Sequence, residues 1–181
     1  MRYILNLPET IEGKVGNAAR RNHSFDNQLF SVIESSRNFL RKYLFWVDGT
    51  KSIKDVQEST KMFMEIWDKA ENYAYIITDK KNNAVGVIDF HNIDYKNHSG
   101  EFGYWLAENA NRKGYVSEMI QILEKMLFEK GMVRLVIKCD EENTASNNVA
   151  KRNGYNFEGT AVKDTFAYGK YRNSNIYAKT K

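Results

Sequence analysis

Asn111-Arg112-Lys113-Gly114-Tyr115-Val116-Ser117-Glu118 is a short polar loop that runs directly into an apolar-periodic segment. Val116, Met119, Ile120, Leu123 and Leu127 fall at i, i+3, i+4, i+7 and i+11, which is one face of an α-helix, so Gly114 stands at a helix N-terminus. The first turn of a helix leaves backbone N–H groups unpaired and carries the positive end of the macrodipole. Gly114 removes a side chain where that backbone must approach a ligand, and Arg112 and Lys113 add charge. The stretch is predicted to dock an anionic group such as a phosphate.

Outward from the loop, Glu101-Phe102-Gly103-Tyr104-Trp105-Leu106-Ala107 precedes it as an aromatic-rich strand. Val133-Arg134-Leu135-Val136-Ile137-Lys138-Cys139 follows the helix with alternating apolar and polar residues. Gly131 supplies a left-handed stop between helix and strand. Strand, helix and strand make a βαβ unit. Asn143 is placed to cap a second helix carrying Ala145, Ser146, Val149 and Ala150, which stops at Asn153-Gly154.

Gly103-Tyr104-Trp105-Leu106, Arg112-Lys113-Gly114-Tyr115 and Asn143-x-x-Ser146-Asn147-x-Val149-Ala150-x-Arg152-Asn153-Gly154-Tyr155, in this order, resemble the GNAT superfamily of acetyl-CoA-dependent N-acetyltransferases. Within it the chain is similar to the ribosomal-protein-serine/alanine N-terminal acetyltransferase branch, the serine-specific type above all. Val136-Ile137-Lys138-Cys139 and Asn175-Ile176-Tyr177-Ala178 share that likeness. The resemblance implies an α/β (α+β) fold, the GNAT acyl-CoA N-acyltransferase fold, with a mixed, mostly antiparallel central sheet and helices on both faces. Residues 1–181 are then expected to form a single domain.

The resemblance also implies site residues. Acetyl-CoA is expected to pair its pantetheine arm with the strand around Tyr104, Trp105 and Leu106, and its pyrophosphate with Asn111, Arg112, Lys113, Gly114, Tyr115, Val116 and Ser117. Asn143 binds the pantetheine or orients the site, and Lys151 with Arg152 meets the nucleotide phosphates. The family's loop usually reads Arg/Gln-x-x-Gly-x-Gly/Ala, whereas Asn111 and Val116 occupy the first and last places here. Many relatives protonate the leaving thiolate with a tyrosine, but that position is Ala150, so Ser146 is the candidate acid.

Acetyl transfer to an amine also needs a base. Glu101 is the first candidate, because strand alternation sets it on one face with Gly103 and Trp105. His91, sharing a strand face with Asp89, is a reserve. In the serine-specific type a glutamate is implicated at a position that is Thr165 here, and Asp164 replaces it only if the strand register shifts. His23 and His98 fall in loop-like sequence, and Cys139 reads as a buried small hydrophobe.

The remaining sequence is read more coarsely. Tyr3 to Leu7 is expected as a first strand stopped by Pro8, and Glu9 to Asn22 as loop. Phe25 to Leu44 is expected as two short helices broken near Ser35-Ser36, and Ser52 to about Lys69 as one longer helix. Tyr73 to Thr78 and Ala84 to Ile93 form a hairpin around Lys80-Lys81-Asn82-Asn83. Tyr155 to Phe166 and Tyr171 to Lys179 are closing strands turned at Tyr168-Gly169.

With 42% hydrophobic and 13% aromatic residues, the chain can bury a proper core. A net charge of +4 suits an anionic cofactor and is too mild to demand nucleic acid. One cysteine and three histidines give no disulfide framework and no zinc spacing, so no metal is expected. No apolar run suggests a signal peptide or a membrane span, and a cytoplasmic protein is expected. A homodimer is compatible with the resemblance. The acceptor is a protein N-terminus or a small amine such as an aminoglycoside, polyamine or amino acid; a non-catalytic acyl-CoA-binding domain is the reading from another class.

Overall fold

The computed structural model describes residues 4–181. Among them, eight strands form one sheet: β1 (Thr10–Glu12), β2 (Asn17–Arg20), β3 (Tyr73–Thr78), β4 (Ala84–Asp94), β5 (Ser99–Leu106), β6 (Arg134–Asp140), β7 (Asn156–Ala167) and β8 (Lys170–Thr180). Their order across the sheet is β1-β2-β3-β4-β5-β6-β8-β7. Neighbours are antiparallel except β5 and β6, which are parallel and joined by the expected βαβ crossover. The helices are α1 (Asp26–Leu40), α2 (Ile53–Asp68), α3 (Tyr115–Glu129) and α4 (Thr144–Arg152).

Period-two alternation divides the core between the two faces of the sheet. Ile76 and Val87 join Leu29, Ile33 and Leu40 of α1 and Val56 of α2 on one face. Tyr75, Ile77, Ile88, Phe90 and Phe102 join Met119, Ile120, Leu123 and Leu127 of α3 and Val149 of α4 on the other. Those four α3 side chains are fully buried, as the periodicity predicts. None of the described helices is long and apolar enough to cross a membrane.

Two expectations are corrected. The segment 26–40 is one continuous helix rather than two, because neither serine breaks it. Ser35 Oγ donates to the carbonyl of Val32 at 3.1 Å, and Ser36 is buried with its Oγ accepting the Glu108 N–H at 3.0 Å. The opening strand expected at Tyr3 to Leu7 is not seen: Tyr3 lies outside the described residues, and Ile4 to Leu7 run without strand pairing. Leu5 and Leu7 are buried there, and the carbonyls of Leu5 and Pro8 accept the hydroxyls of Tyr73 and Tyr75. The first strands are β1 and β2 instead, inside the segment read as loop, and β2 is held by long-range pairing with β3.

The turn between β1 and β2 is fastened to α3. Backbone N–H groups of Lys14, Val15 and Gly16 converge on the Glu118 carboxylate at 2.5, 2.9 and 3.2 Å. Gly13 has no room for a Cβ, which would press on Glu118 Oε2 and meet the backbone carbonyl oxygen of Gly16 at 2.7 Å. This nest of amides around an anion ties the first hairpin to the first turn of the helix.

The β5–β6 pairing is short. Ser99, Gly100, Glu101 and Phe102 pair with Arg134, Leu135, Val136 and Ile137, after which the strands part. Beyond that point β5 still pairs with β4 through Leu106, and β6 with β8 through Asp140. A wedge therefore opens inside the sheet, edged by Gly103 to Leu106 and by Lys138 to Asp140.

Glu118→Ala is expected to lower unfolding free energy by about 1–2 kcal/mol, since charge-assisted hydrogen bonds are lost from a partly exposed site. Urea denaturation with an unchanged slope and a lower midpoint reads this out. An unchanged midpoint would show that the hairpin turn holds without its anion.

Candidate active site

The glycine-containing loop closes as the sequence predicts. Gly114 is the N-cap of α3 with φ 92°, and Arg112 is also left-handed at φ 62°. Both Tyr115 and Val116 turn their side chains into the core. The branched Val116 therefore does not crowd the loop, and the first turn offers backbone N–H groups with no intrahelical partner. Arg112 and Lys113 are exposed beside them. Asn111 sits differently: its amide nitrogen donates to the carbonyls of Ala107 and Glu108 at 2.8 and 3.2 Å, which commits that side chain to shaping the turn.

Ser117 joins two helices. Its Oγ accepts from Arg152 Nε at 2.9 Å and from Asn153 Nδ2 at 3.2 Å. The C-terminus of α4 is thereby pinned to the N-terminus of α3, and Arg152 is brought to the corner that holds Arg112 and Lys113. Lys151 is exposed next to it. Cations and free amides converge where an anion is expected.

At the other end of α4, Asn143 caps the helix by accepting the Ser146 N–H at 3.2 Å. Ser146 Oγ lies 2.8 Å from the Tyr104 hydroxyl, which reaches across from β5. Cys139 of β6 is buried in the same place. Burial pushes its thiol up to about 11 and raises the Tyr104 phenol far above its usual value, so both stay protonated at neutral pH. A hydroxyl pair therefore faces the wedge between β5 and β6. Leu106 is buried on the same strand face, whereas Trp105 points the opposite way and packs its ring 5.7 Å from that of Trp46.

Glu101 also lies on that opposite face, at the last residues before the strands part. It is directly across from His91, and Asp89 is directly across from Gly103. His91 Nε2 is 3.7 Å from Glu101 Oε2 and its Nδ1 is 2.9 Å from Asp89 Oδ2. Asp89 Oδ2 accepts from Asn72 Nδ2 at 2.9 Å. Gly103 makes this possible, since a Cβ there would meet Asp89 Oδ1 at 2.5 Å. Asp164 is paired instead with Lys138 Nζ at 2.8 Å. That bond holds its carboxyl below the usual range, which leaves it a poor base.

The residues singled out in the sequence thus form three groups. Arg112, Lys113, Gly114, Ser117 and Arg152 gather at the start of α3; Tyr104, Asn143 and Ser146 gather on the α4 side of β5; Glu101 and His91 stand on the α1 side. Ser146 and Glu101 are separated by the sheet itself, and the wedge is the opening between them. Sequence reading missed Asn72 and Trp46. Neither carries a local signal: Trp46 reads as part of an apolar run, and its pairing with Trp105 arises from tertiary packing.

Comparison with known proteins gives the family to which this fold belongs. A family model described as acetyltransferase (GNAT) domain matches residues 21–156. The ribosomal-protein-serine acetyltransferase of Escherichia coli (strain K12) is 30% identical over 164 residues, covering 90% of each chain. Among solved structures, RimL, a ribosomal alpha-N-protein acetyltransferase in complex with coenzyme A, superposes with a TM-score of 0.90 at 26% identity over 95% of this chain and 98% of that one. MccE, a microcin self-immunity acetyltransferase in complex with acetyl-CoA and AMP, superposes with a TM-score of 0.90 at 27% identity over 93% of both chains. With a parted parallel pair in its sheet, a glycine-capped cationic helix start beside it and a family model spanning most of its length, this chain belongs to the GNAT acetyltransferase family.

Proposed function

We propose that the chain, acting as one domain, transfers the acetyl group of acetyl-CoA to the N-terminal amine of a protein, of ribosomal-protein type, by direct attack in a ternary complex. The observation that carries this reading is the parting of β5 and β6 where the chain leads into the cationic first turn of α3. Unpaired strand edges suit a pantetheine arm, which carries amides of its own, and the helix start suits a pyrophosphate. The names of the Escherichia coli serine acetyltransferase and of RimL support the acceptor.

Bound acetyl-CoA supplies a thioester with an electrophilic carbonyl carbon. The chain's residues do the rest. N–H groups on the free edge of β5 hold the arm in the wedge and face developing negative charge on the carbonyl oxygen. Arg112, Lys113, Arg152 and the first turn of α3 hold the phosphates, with Lys151 at the rim. Glu101 takes a proton from the acceptor amine on the α1 side. Ser146, hydrogen-bonded to Tyr104, gives a proton to the departing thiolate on the α4 side, and Asn143 fixes Ser146 by capping its helix.

A second acceptor is favoured by Trp46 and Trp105. Their paired rings lie on the Glu101 face of β5, and Trp46 remains 44% exposed. Such a ring invites stacking by a flat partner. Together with the AMP in the MccE complex, this supports a small amine attached to an aromatic base.

Three outcomes test these readings. Calorimetry should give micromolar acetyl-CoA binding that Gly114→Glu abolishes, because the carboxylate meets the phosphates and a side chain is strained at φ 92°. Absence of binding to the parent would remove the acetyl-transfer reading. Ser146→Ala and Tyr104→Phe should each lower kcat by roughly 10- to 100-fold with little change in acetyl-CoA affinity, and the double variant should lose little more, as expected of one coupled unit. Equal kcat in parent and Ser146→Ala would take the serine out of the mechanism. Mass spectrometry on a peptide beginning with serine and on an aminoacyl nucleotide decides the acceptor, and Trp46→Ala should raise KM by about tenfold or more only for the latter.

A further inference from the structure

His91 is partly enclosed between two carboxylates, on the strand face where the acceptor amine is proposed to arrive. Its Nδ1 is close to Asp89 yet off the line of a good hydrogen bond, and it has no other partner. Asp89 is itself anchored by Asn72, which is 8% exposed and whose Oδ1 is also unpartnered. Both unpartnered atoms belong to a polar cluster on the α1 side of the sheet. Burying polar groups without partners costs free energy, which a purely structural pocket would avoid.

The charges around the ring come from four elements. Asp89 lies on β4 itself and Glu101 on β5. Arg21, after β2, is buried and faces Asp89, and Asp26 at the start of α1 faces Arg21 in turn. Arg21 is held by Thr60 and Ser59 of α2, so its charge is fixed in place. Burial, the largest influence on His91, favours its neutral form, but the contact and charge of Asp89 together with the charge of Glu101 outweigh it and raise its pKa.

We propose that His91 is a positioning residue for Glu101: held by Asp89, it fixes the carboxylate while charged and releases it for proton transfer once neutral. The proposal rests on the acetyl-transfer reading above and adds to it the part of the site that sets its dependence on pH. With the ring charged, Nε2 stands 3.7 Å from Glu101 Oε2, outside hydrogen-bond reach but close enough for its charge to draw the carboxylate toward the ring and away from the acceptor amine. When Nε2 is deprotonated, the proton left on Nδ1 faces Asp89, and Glu101 is free. The amine nitrogen then gives a proton to Glu101 and forms the N–C bond to the acetyl carbon. The C–S bond breaks, the thiolate takes the Ser146 proton, which Ser146 regains through Tyr104 from solvent, and Glu101 passes the amine proton to solvent.

The sign follows. Because His91 is charged at low pH and its pKa is raised, kcat/KM for the acceptor should rise with pH through a value above the ordinary histidine pKa of about 6.5. His91→Gln should lose the limb set by the ring, so that kcat/KM for the acceptor exceeds the parent's by up to about tenfold at acid pH and meets it at high pH with KM for acetyl-CoA unchanged, while Glu101→Gln should lower kcat/KM by about 100-fold or more. Only three histidines are present, so the His91 ring can be assigned by NMR from the signal missing in His91→Gln. Its midpoint should fall in Glu101→Gln and in Asp89→Asn.

Because the acceptor amine, with an ordinary pKa of about 7.7–8.0, adds an acid limb of its own, an acid limb that keeps the parent's midpoint in His91→Gln, or a ring midpoint unmoved by Glu101→Gln, overturns the proposal. Abolished turnover in His91→Gln with a nearly normal rate in Glu101→Gln overturns it too, by making His91 the base. The NMR arm needs no turnover. An inactive parent therefore fails the acetyl-transfer reading, whereas an active parent with an uncoupled ring fails only this one.

Discussion

Beyond Phe102 and Ile137 the strands β5 and β6 share no hydrogen bonds, although each is still firmly paired on its other side. A strand edge inside a sheet leaves backbone donors and acceptors without partners, and such groups are costly unless water or a ligand serves them. The rest of the molecule keeps that opening from closing. β4 and β8 hold the outer sides of the two strands, and α3 and α4 pack over one face. The Ser117 contacts with Arg152 and Asn153 lock the two helix ends together at the margin. The wedge is thus a consequence of topology: the parallel pair β5 and β6 needs a crossover helix, and that helix begins where the pair has opened.

The sheet also separates two kinds of proton chemistry. On the α4 side Tyr104 and Cys139 are held protonated by burial, and Tyr104 is hydrogen-bonded to Ser146, which suits giving a proton to a leaving group. On the α1 side Asp89, His91 and Glu101 keep partial contact with solvent and stand side by side, a grouping that suits taking one. Two groups with opposite tasks would perturb each other if they shared one pocket. Alternation along β5 places Glu101 and Tyr104 on opposite faces only three residues apart, so one strand presents both.

Much of the fold was legible because it depends on local pattern. The face of α3, its glycine start, the Asn143 cap, the hairpin of β3 and β4 and the closing pair β7 and β8 follow from periodicity, capping and turn residues. The two errors share a cause. Ser35 and Ser36 read as a break because serine competes for backbone bonds, yet Ser36 is used by the Glu108 N–H, distant in sequence. β1 and β2 carry almost no period in three and four residues, and they are strands because β3 is there to pair with them.

The candidate site divides in the same way. By itself the sequence determined that a glycine-capped, cationic helix start follows a glycine-bearing strand, and that a capped helix brings Ser146 after it, because these are features of residues close in the chain. Only the tertiary structure decided that Ser146 meets Tyr104, that His91 stands across from Glu101 with Asp89 behind it, that Trp46 covers Trp105 and that Asn111 spends its amide on the turn. The reason is register: cross-strand partners and rotamer directions are set by packing among segments far apart in sequence, and a slip of one residue would exchange the two faces of β5.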